Sequence, residues 1–402
     1  MKYTKEEVMQ YVAEEDVKFI RLAFCDVFGR QKNVSVMPGE LGRAFDFGIA
    51  FDASAIKGFG GEVESDLFLH PDPETLSVLP WRPEHGKVVR MFCDITYPDG
   101  RPFEADSRAL LKNAVAEAKK EGISFFFGSE TEFYLFKLDE NGEKTEEPYD
   151  NAGYMDVAPF DKGENVRREI CLTLEKMGIY PESSHHEEGP GQNEIDFRYS
   201  EPSVAADDAM TFRTVVSTVA ARSGLYADFS PKPIKNKSGN GMHINVSAKA
   251  DDGRDVMPEV IAGLLKRASE TAAFFNITEE SYRRLGENKA PKYVSWSSQN
   301  RSELIRIPAA AGEYKRAEYR SPDPLCNPYI AFALIIKAGL DGIKNGDKLP
   351  PPTDINLYTA DSKATELLEI LPENSEQAKR IAAQSRFVSE NIPEAIRKNY
   401  II

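Results

Sequence analysis

Cysteine is scarce: the 402 residues hold four, Cys25, Cys93, Cys171 and Cys326, far apart and with no C-x-x-C pair. That is too few to staple a chain of this length, so they are expected as reduced core residues of a cytoplasmic protein. No apolar run reaches the about 18 residues a membrane helix needs. The N-terminus, MKYTKEEVMQYVAEEDVKF, is acidic and amphipathic, with neither the basic start nor the apolar stretch of a signal peptide. Basic residues are outnumbered, 50 against 65 acidic, for a net charge of −15. That balance argues against a nucleic acid or an anionic membrane as partner. Familiar signatures are missing too: there is no G-x-x-x-x-G-K-[ST], no G-x-G-x-x-G between strand and helix, no G-x-S-x-G elbow and no H-E-x-x-H. The glycines of Ile56-Lys57-Gly58-Phe59-Gly60-Gly61 are wrongly spaced for a phosphate loop.

What is present is ample core material, 41% hydrophobic and 10% aromatic residues, in a length that suits two or three domains. Thr4 is placed to cap a helix over 4–15. The β-rich run VKFIRLAFCDVFGRQKNVSV breaks at Phe28-Gly29-Arg30, a hairpin signal, and residues 88–94 read as another strand. Residues 1–100 are therefore expected to form a small strand-rich domain. Beyond Pro98-Asp99-Gly100-Arg101-Pro102 the pattern changes: Asp106 can cap a helix to Lys120, stopped by Gly122. In a second domain, 101–402, helices are expected over 163–177, 203–222, 257–275, 328–344 and 375–391. Strands are expected over 123–136, 194–200, 242–247 and 301–307, and an exposed loop over Asp139 to Asn151. The class is α+β or mixed α/β.

The chemistry lies in polar residues at strand spacing within apolar strands. In Phe125-Phe126-Phe127-Gly128-Ser129-Glu130-Thr131-Glu132-Phe133 the period of two puts Glu130 and Glu132 on one face. Two carboxylates on so apolar a strand call for cations between them, the alternative being a solvated strand end. Glu194-Ile195-Asp196-Phe197 repeats the device after a Gly- and Pro-punctuated loop that can bring Glu187 beside Glu194. In Met242-His243-Ile244-Asn245-Val246-Ser247 three polar residues again share a face, following the loop Ser238-Gly239-Asn240-Gly241. A strand histidine alone is more often structural, and arginine clusters are usually solvated. Yet Arg301, Arg306, Arg316 and Arg320 alternate with apolar residues, as guanidinium groups turned inward to grip phosphate or carboxylate do. Together these residues suit Mg²⁺ or Mn²⁺ with a polyphosphate, a metal-dependent phosphoryl-transfer site without a Walker loop.

In order and spacing these stretches resemble the glutamine synthetase family, from Phe51-Asp52 and Ser65-Asp66-Leu67 to Asn356-Leu357-Tyr358. The strongest are Glu130-Thr131-Glu132-Phe133, His185-His186-Glu187 to Asn193-Glu194, Lys232-Pro233 to His243 and Ser247, Asn300-Arg301-Ser302 to Pro308, and Arg316 to Asp323. The resemblance implies an α+β architecture, a β-grasp-like N-terminal domain plus a glutamine synthetase-type catalytic α/β domain, in rings of six, single or stacked, where Asp52 reaches a neighbour's site. It implies that Glu132, Glu187 and Glu194 hold one metal and Glu130, His243 and Glu318 another. Arg284 and Arg320 would bind the two carboxylates of glutamate, with Gly239 in the glutamate loop. Arg301, Arg306 and Arg316 would neutralise phosphate charge, with Asn245 and Ser247 by the ATP, and Asp52 and Tyr154 would belong to the ammonium pocket. The implied reaction joins glutamate to ammonia or a small amine through γ-glutamyl phosphate.

Three departures fall where the amine binds. Phe51-Asp52-Ala53-Ser54-Ala55-Ile56 lacks one serine of the family's Phe-Asp-Gly-Ser-Ser-Ile. The flap, Tyr-Glu-Ala-Pro in the family, reads Asn288-Lys289-Ala290-Pro291, so a cation stands where a glutamate attracts ammonium, and Glu287 is the available substitute. Ser238 replaces an asparagine. A γ-glutamyl amide synthetase for an organic amine is therefore a second reading, and a non-catalytic regulatory paralogue a third. The chain after Leu371-Pro372, with one good helix, is shorter than the tail that ties two rings together. Tyr358 sits where some relatives are adenylylated, but a packed loop tyrosine is the simpler expectation.

Overall fold

The computed structural model describes residues 3–60, 66–82, 85–310, 312 and 315–401; Gly61 and Ser65 of the sequence motifs lie outside them. The helix Lys5–Glu14 begins at Thr4, whose hydroxyl accepts from Glu7 N while the Glu7 carboxylate accepts from Thr4 N. Val17–Cys25 then turns back through Gly29 into Gln31–Val36, the expected hairpin. Gly29 has φ +73°, and a Cβ there would stand 2.8 Å from Asn327 Cα, so only glycine lets this turn dock on the second half of the chain. The first sheet runs in the order Gln31–Val36, Val17–Cys25, Lys87–Thr96, Asp66–Pro71, Ile49–Asp52. Its central pair, Val17–Cys25 and Lys87–Thr96, is parallel.

The second sheet is built on the 16-residue strand Ile123–Leu138. It is flanked by Met242–Ala250 and Gln192–Phe197, and continues through Ala317–Tyr319 and Ile305–Arg306 on one side and Pro181–His186 on the other. Phe125, Phe127, Ile244 and Val246 enter one core with helices Met257–Phe275 and Pro328–Asn345; Phe127 stacks on Phe332 at 4.5 Å. Phe133, Leu135, Ile195 and Phe197 enter a second core beside helices Glu164–Lys176 and Pro202–Arg222. The alternate residues of the long strand, Glu130 and Glu132 among them, are left for the opposite face.

The two halves are pinned by a buried cation. Arg108, on the helix Ser107–Lys120, reaches Asp72 (2.8 Å) and Asp94 (2.9 Å) of the first half and Asp207 (3.0 Å) of the second. No helix among the described residues is long and apolar enough to cross a membrane.

Helices expected from periodicity appear within a residue or two of their sequence bounds, with exceptions that have local causes. The span 375–391 is two helices, Ser375–Gln384 and Arg386–Asn391, because Ser385 is extended and its hydroxyl caps the second. A further helix, Glu394–Ile401, follows. Asp139 to Asn151 is not all exposed loop: Lys144–Pro148 pairs with the long strand as a hairpin, and Asp150 is buried. Of 301–307 only Ile305–Arg306 is strand. The strands Pro181–His186 and Leu225–Asp228 carry weak alternation and were not expected.

Candidate active site

Sheet register assembles the site. Glu130 lies between Asp196 on one neighbouring strand and His243 on the other; Glu132 lies opposite Glu194, which lies opposite His185. One strand further on, Asn245 faces Glu318 and Glu318 faces Arg306. Residues scattered over the sequence thus form two adjoining polar rows on one face. His243 Nδ1 is 3.5 Å from both Glu130 Oε2 and Glu318 Oε1.

A cavity of about 60 Å³ opens on these rows, lined by Glu130, Glu132, Glu187, Glu194 and His243 together with Tyr154, Gly239, Arg284, Arg301, Arg320 and the flap residues Asn288 and Lys289. Among the described residues four overlapping sets of ligand atoms lie within 4.8 Å of one another: Glu130, His243 and Glu318; Glu132, Glu194 and His243; His185, Glu187 and Glu194; Glu130, Glu194 and Asp196. The first is one of the two sets expected. The other expected set, Glu132, Glu187 and Glu194, is spread over the second and third, joined by Glu194.

Burial first, then the charges of Glu132, Asp196, Glu130 and Glu187, pushes the Glu194 carboxyl well above the usual carboxylate range. Burial likewise raises Glu132 and, with the charge of Glu130, takes Asp196 to about 6. Such a cluster of buried carboxylates in mutual repulsion is a fit for divalent cations, and the all-oxygen and imidazole donor set suits Mg²⁺ or Mn²⁺. Glu318 is different. Burial opposes its ionisation, but Arg320, His243 and Arg306 hold it well below the usual range; Arg306 Nη1 donates to Glu318 Oε2 at 2.8 Å and Arg320 bonds the other oxygen.

The supports are local. Glu132 Oε2 accepts from Gly241 N at 2.7 Å and Gln192 Nε2 at 3.2 Å. The Glu187 backbone oxygen accepts from His186, whose Nε2 bonds Asp150 at 2.9 Å, so a fully buried histidine holds a cavity carboxylate in place. Arg284, 3% exposed, donates to the carbonyls of Ser321 (2.8 Å) and Arg320 (3.1 Å) while lining the cavity. A Cβ on Gly239 would come 2.4 Å from Pro231 O and 2.9 Å from Arg284 Cγ, so the loop must pass as glycine. Asn245 donates to Glu130 at 2.8 Å and accepts from Arg316 at 2.9 Å. Ser247 continues the same face of its strand, beyond the cavity.

Like Ser247, the expected residues Asp52 and Glu287 lie outside the cavity. Asp52 is exposed at the end of a strand of the first sheet and holds its own Ser54 N and Oγ at 3.0 and 2.6 Å. Glu287 is exposed and paired with Lys232 at 2.8 Å, outside the cavity lining. Lys289 is the residue that roofs the cavity: its Nζ is 2.6 Å from Glu188 Oε1 and 5.0 Å above the Tyr154 ring, and its carbonyl accepts from Arg320. Asn288 and Lys289 hold φ of +44° and +70°, a left-handed pair that curls the flap inward. Tyr358 packs against the flap, its hydroxyl donating to Ala290 O at 3.2 Å. His185, Glu188 and Gln192 stand in the sequence motif without a role assigned to them, and Asp196 shares the face of Glu194 by its spacing; cross-strand register puts His185 and Asp196 beside Glu194 and Glu130, and the loop after His186 carries Glu188 to the cavity.

A carboxylate-rich cleft on an antiparallel sheet, with arginines on its rim, has the chemistry to take divalent cations and anionic substrates. The comparisons give the family. Residues 16–98 match the model of the glutamine synthetase β-grasp domain and residues 104–402 that of the glutamine synthetase catalytic domain. The chain is similar to proteins called glutamine synthetase from Clostridium saccharobutylicum (44% identical, covering 100% of this chain and 94% of the relative) and Methanosarcina mazei (45%, 99% and 92%). Among solved structures it resembles a GmaS/ADP complex, with TM-score 0.88 and 28% identity over 98% of this chain and 93% of that one. The chain belongs to the glutamine synthetase family, whose members are ligases forming carbon–nitrogen bonds.

Proposed function

We propose that this protein is an ATP-dependent ligase that joins the γ-carboxylate of glutamate to ammonia or a small amine through γ-glutamyl phosphate. The observation that carries the reading is the convergence, under one flap, of the two carboxylate sets with Arg284 and Arg320. Glu132, Glu187 and Glu194 would hold one divalent cation and Glu130, His243 and Glu318 a second. Bound there, the cations would neutralise the nucleotide phosphates and the developing charge of transfer.

The chain's own groups do the rest. Arg284 makes its hydrogen bonds to two backbone carbonyls and no ion pair among the described residues, which leaves it available to take the α-carboxylate of glutamate, while Arg320 takes the γ-carboxylate. Arg301, Arg306 and Arg316 offset charge on the transferred phosphoryl group, with Asn245 and Ser247 by the nucleotide. Phosphorylation makes a poor leaving oxygen a good one, and the Lys289 flap excludes water from the acyl phosphate until the amine attacks. We also infer that a β-grasp unit of residues 1–100 and a catalytic unit of 101–402 work in cytoplasmic ring oligomers, hexamers or dodecamers. The exposure of Asp52, away from its own chain's cavity, supports its entry into a neighbour's site.

A second reading, an organic amine in place of ammonia, is favoured by Lys289, which puts a cation and its Glu188 partner at the roof where an ammonium ion would enter; the GmaS neighbours point the same way. The test is phosphate release from ATP with Mg²⁺ and glutamate, without amine, with ammonium, and with methylamine, ethanolamine or putrescine. Stimulation by ammonium or by one amine supports the ligase and decides between the readings. No stimulation, with metal-dependent ATP binding intact, would overturn it in favour of a regulatory paralogue.

A further inference from the structure

A second pocket, of about 270 Å³, lies where the two halves of the chain meet the C-terminal helices, away from the cavity above. Phe28, Arg30 and Lys57 come from the first half, and Arg213 from the helix Pro202–Arg222. Asn276, Thr278 and Tyr282 follow the helix Met257–Phe275, and Lys379 and Tyr400 come from the C-terminal helices. Its charge is of one sign. Among the described residues four cations line it, no carboxylate does, and none of the four makes an ion pair. In a chain with 65 acidic residues to 50 basic, an all-cationic lining runs against composition. A wider hollow of about 940 Å³ elsewhere shows the contrast, since its cations are met by neighbouring carboxylates, as in Lys266 with Asp347 and Arg267 with Asp341.

Two buried polar atoms of this lining also lack partners: Tyr282 Oη, on a residue 6% exposed, and Asn276 Oδ1, on a residue 1% exposed. A buried hydroxyl or amide oxygen without a partner has given up its hydration with no hydrogen bond in return, a cost that a bound ligand would relieve. Arg213 is turned to the same place by backbone carbonyls, donating to Pro324 O at 3.1 Å and Gly29 O at 3.2 Å. Converging cations with low-dielectric walls concentrate anions, and the volume of about 270 Å³ falls just below the ~300–1,000 Å³ of small-molecule sites, room for a compact ligand.

We propose that this pocket binds a compact organic polyanion carrying a hydroxyl, a phosphate monoester or a polycarboxylate. Its charge meets Arg30, Lys57, Arg213 and Lys379, its anionic oxygen accepts from Tyr282, and its hydroxyl donates to Asn276 Oδ1. Tyr282 lies on the helix Glu279–Arg284, whose last residue lines the active-site cavity, so an occupant bears on the element that positions Arg284. The proposal is independent of the ligase reading.

The test is calorimetric titration of the full-length protein at low salt with glycerol 2-phosphate in one arm and citrate in the other. The comparison is between the native chain and the triple variant Arg30→Glu, Lys57→Glu, Lys379→Glu. These side chains are exposed or half-exposed and make no ion pair among the described residues, Lys57 lying only over the Phe28 ring at 4.9 Å, so the fold should survive, as an unchanged melting temperature checks. At least one arm should bind natively and weaken tenfold or more in the variant, while Mg²⁺-ATP binding stays unchanged. Tyr282→Phe, which removes only the unpartnered hydroxyl, should weaken the same arm severalfold. Native protein that binds neither probe, or a folded triple variant that binds both as tightly as the native chain, would overturn the site.

Discussion

Replacing Lys289 by Gln isolates the effect of one cation at the roof of the cavity. The backbone demand is unchanged, since φ of +70° strains Gln as it does Lys. The ion pair with Glu188 is partly exposed, 43% and 37% at the two side chains, so its loss should cost only about 0.2–1 kcal/mol and leave the melting temperature nearly still. The effect on a cationic substrate is larger. Two unit charges about 5 Å apart repel by roughly 1–3 kcal/mol for an effective dielectric between ~80 and ~20, and Glu188 at 2.6 Å offsets part of it. A residual of about 1–2 kcal/mol corresponds to a five- to thirtyfold drop in the KM for ammonium, with the KM for ATP unmoved. The assay is glutamate-dependent phosphate release against ammonium concentration, run at two ionic strengths because the effect should shrink with salt. Where an organic amine carries the activity, its protonated form should show the same gain. An unchanged amine KM in a protein that still binds ATP would refute the reasoning and place the amine's entry elsewhere.

Arg108→Met leaves the buried Asp207 with no ion pair, while Asp94 and Asp72 keep Lys112 at 2.7 and 3.5 Å, and should cost about 3–5 kcal/mol in denaturant unfolding; a loss under about 1 kcal/mol would show that Lys112 and the Tyr329 hydroxyl compensate the cluster. Gly239→Ala forces a Cβ into Pro231 O and Arg284, so the KM for glutamate should rise at least tenfold with a small change in melting temperature; unaltered kinetics would count against the loop's role. Burial and then Asp207 push the Asp208 carboxyl up to about 7, so between pH ~4 and 7 the folded chain keeps a proton the unfolded chain releases, and stability falls as pH rises through that window. Asp208→Asn should therefore melt a few degrees above the native chain at pH 8 and level with it at pH 4; the opposite order would refute the sign.

Much of this protein was legible in sequence because its signals are local. Thr4 and Asp106 sit where caps must sit, and the helices Pro202–Arg222, Met257–Phe275 and Pro328–Asn345 announce themselves by long apolar periodicity. The pairing of Glu130 with Glu132 followed from the period of two, which no tertiary context alters. What escaped has no local signature. Lys144–Pro148 and Leu225–Asp228 are strands only because the long strand offers them an edge. The flap was readable as a charge change, but not the geometry that turns Glu287 outward to Lys232 and Lys289 inward to Glu188.

The sequence by itself determined the family, the helices and the kinds of side chain that line the candidate site, because caps, periodicity and motif spacing act over a few residues. Only the tertiary structure decided which carboxylates come within reach of one another, that Glu194 joins three of their sets, and that four cations with no ion pair among the described residues meet in a second pocket. Strand register and the docking of distant elements set distances between groups more than a hundred residues apart, and no short-range rule carries that information.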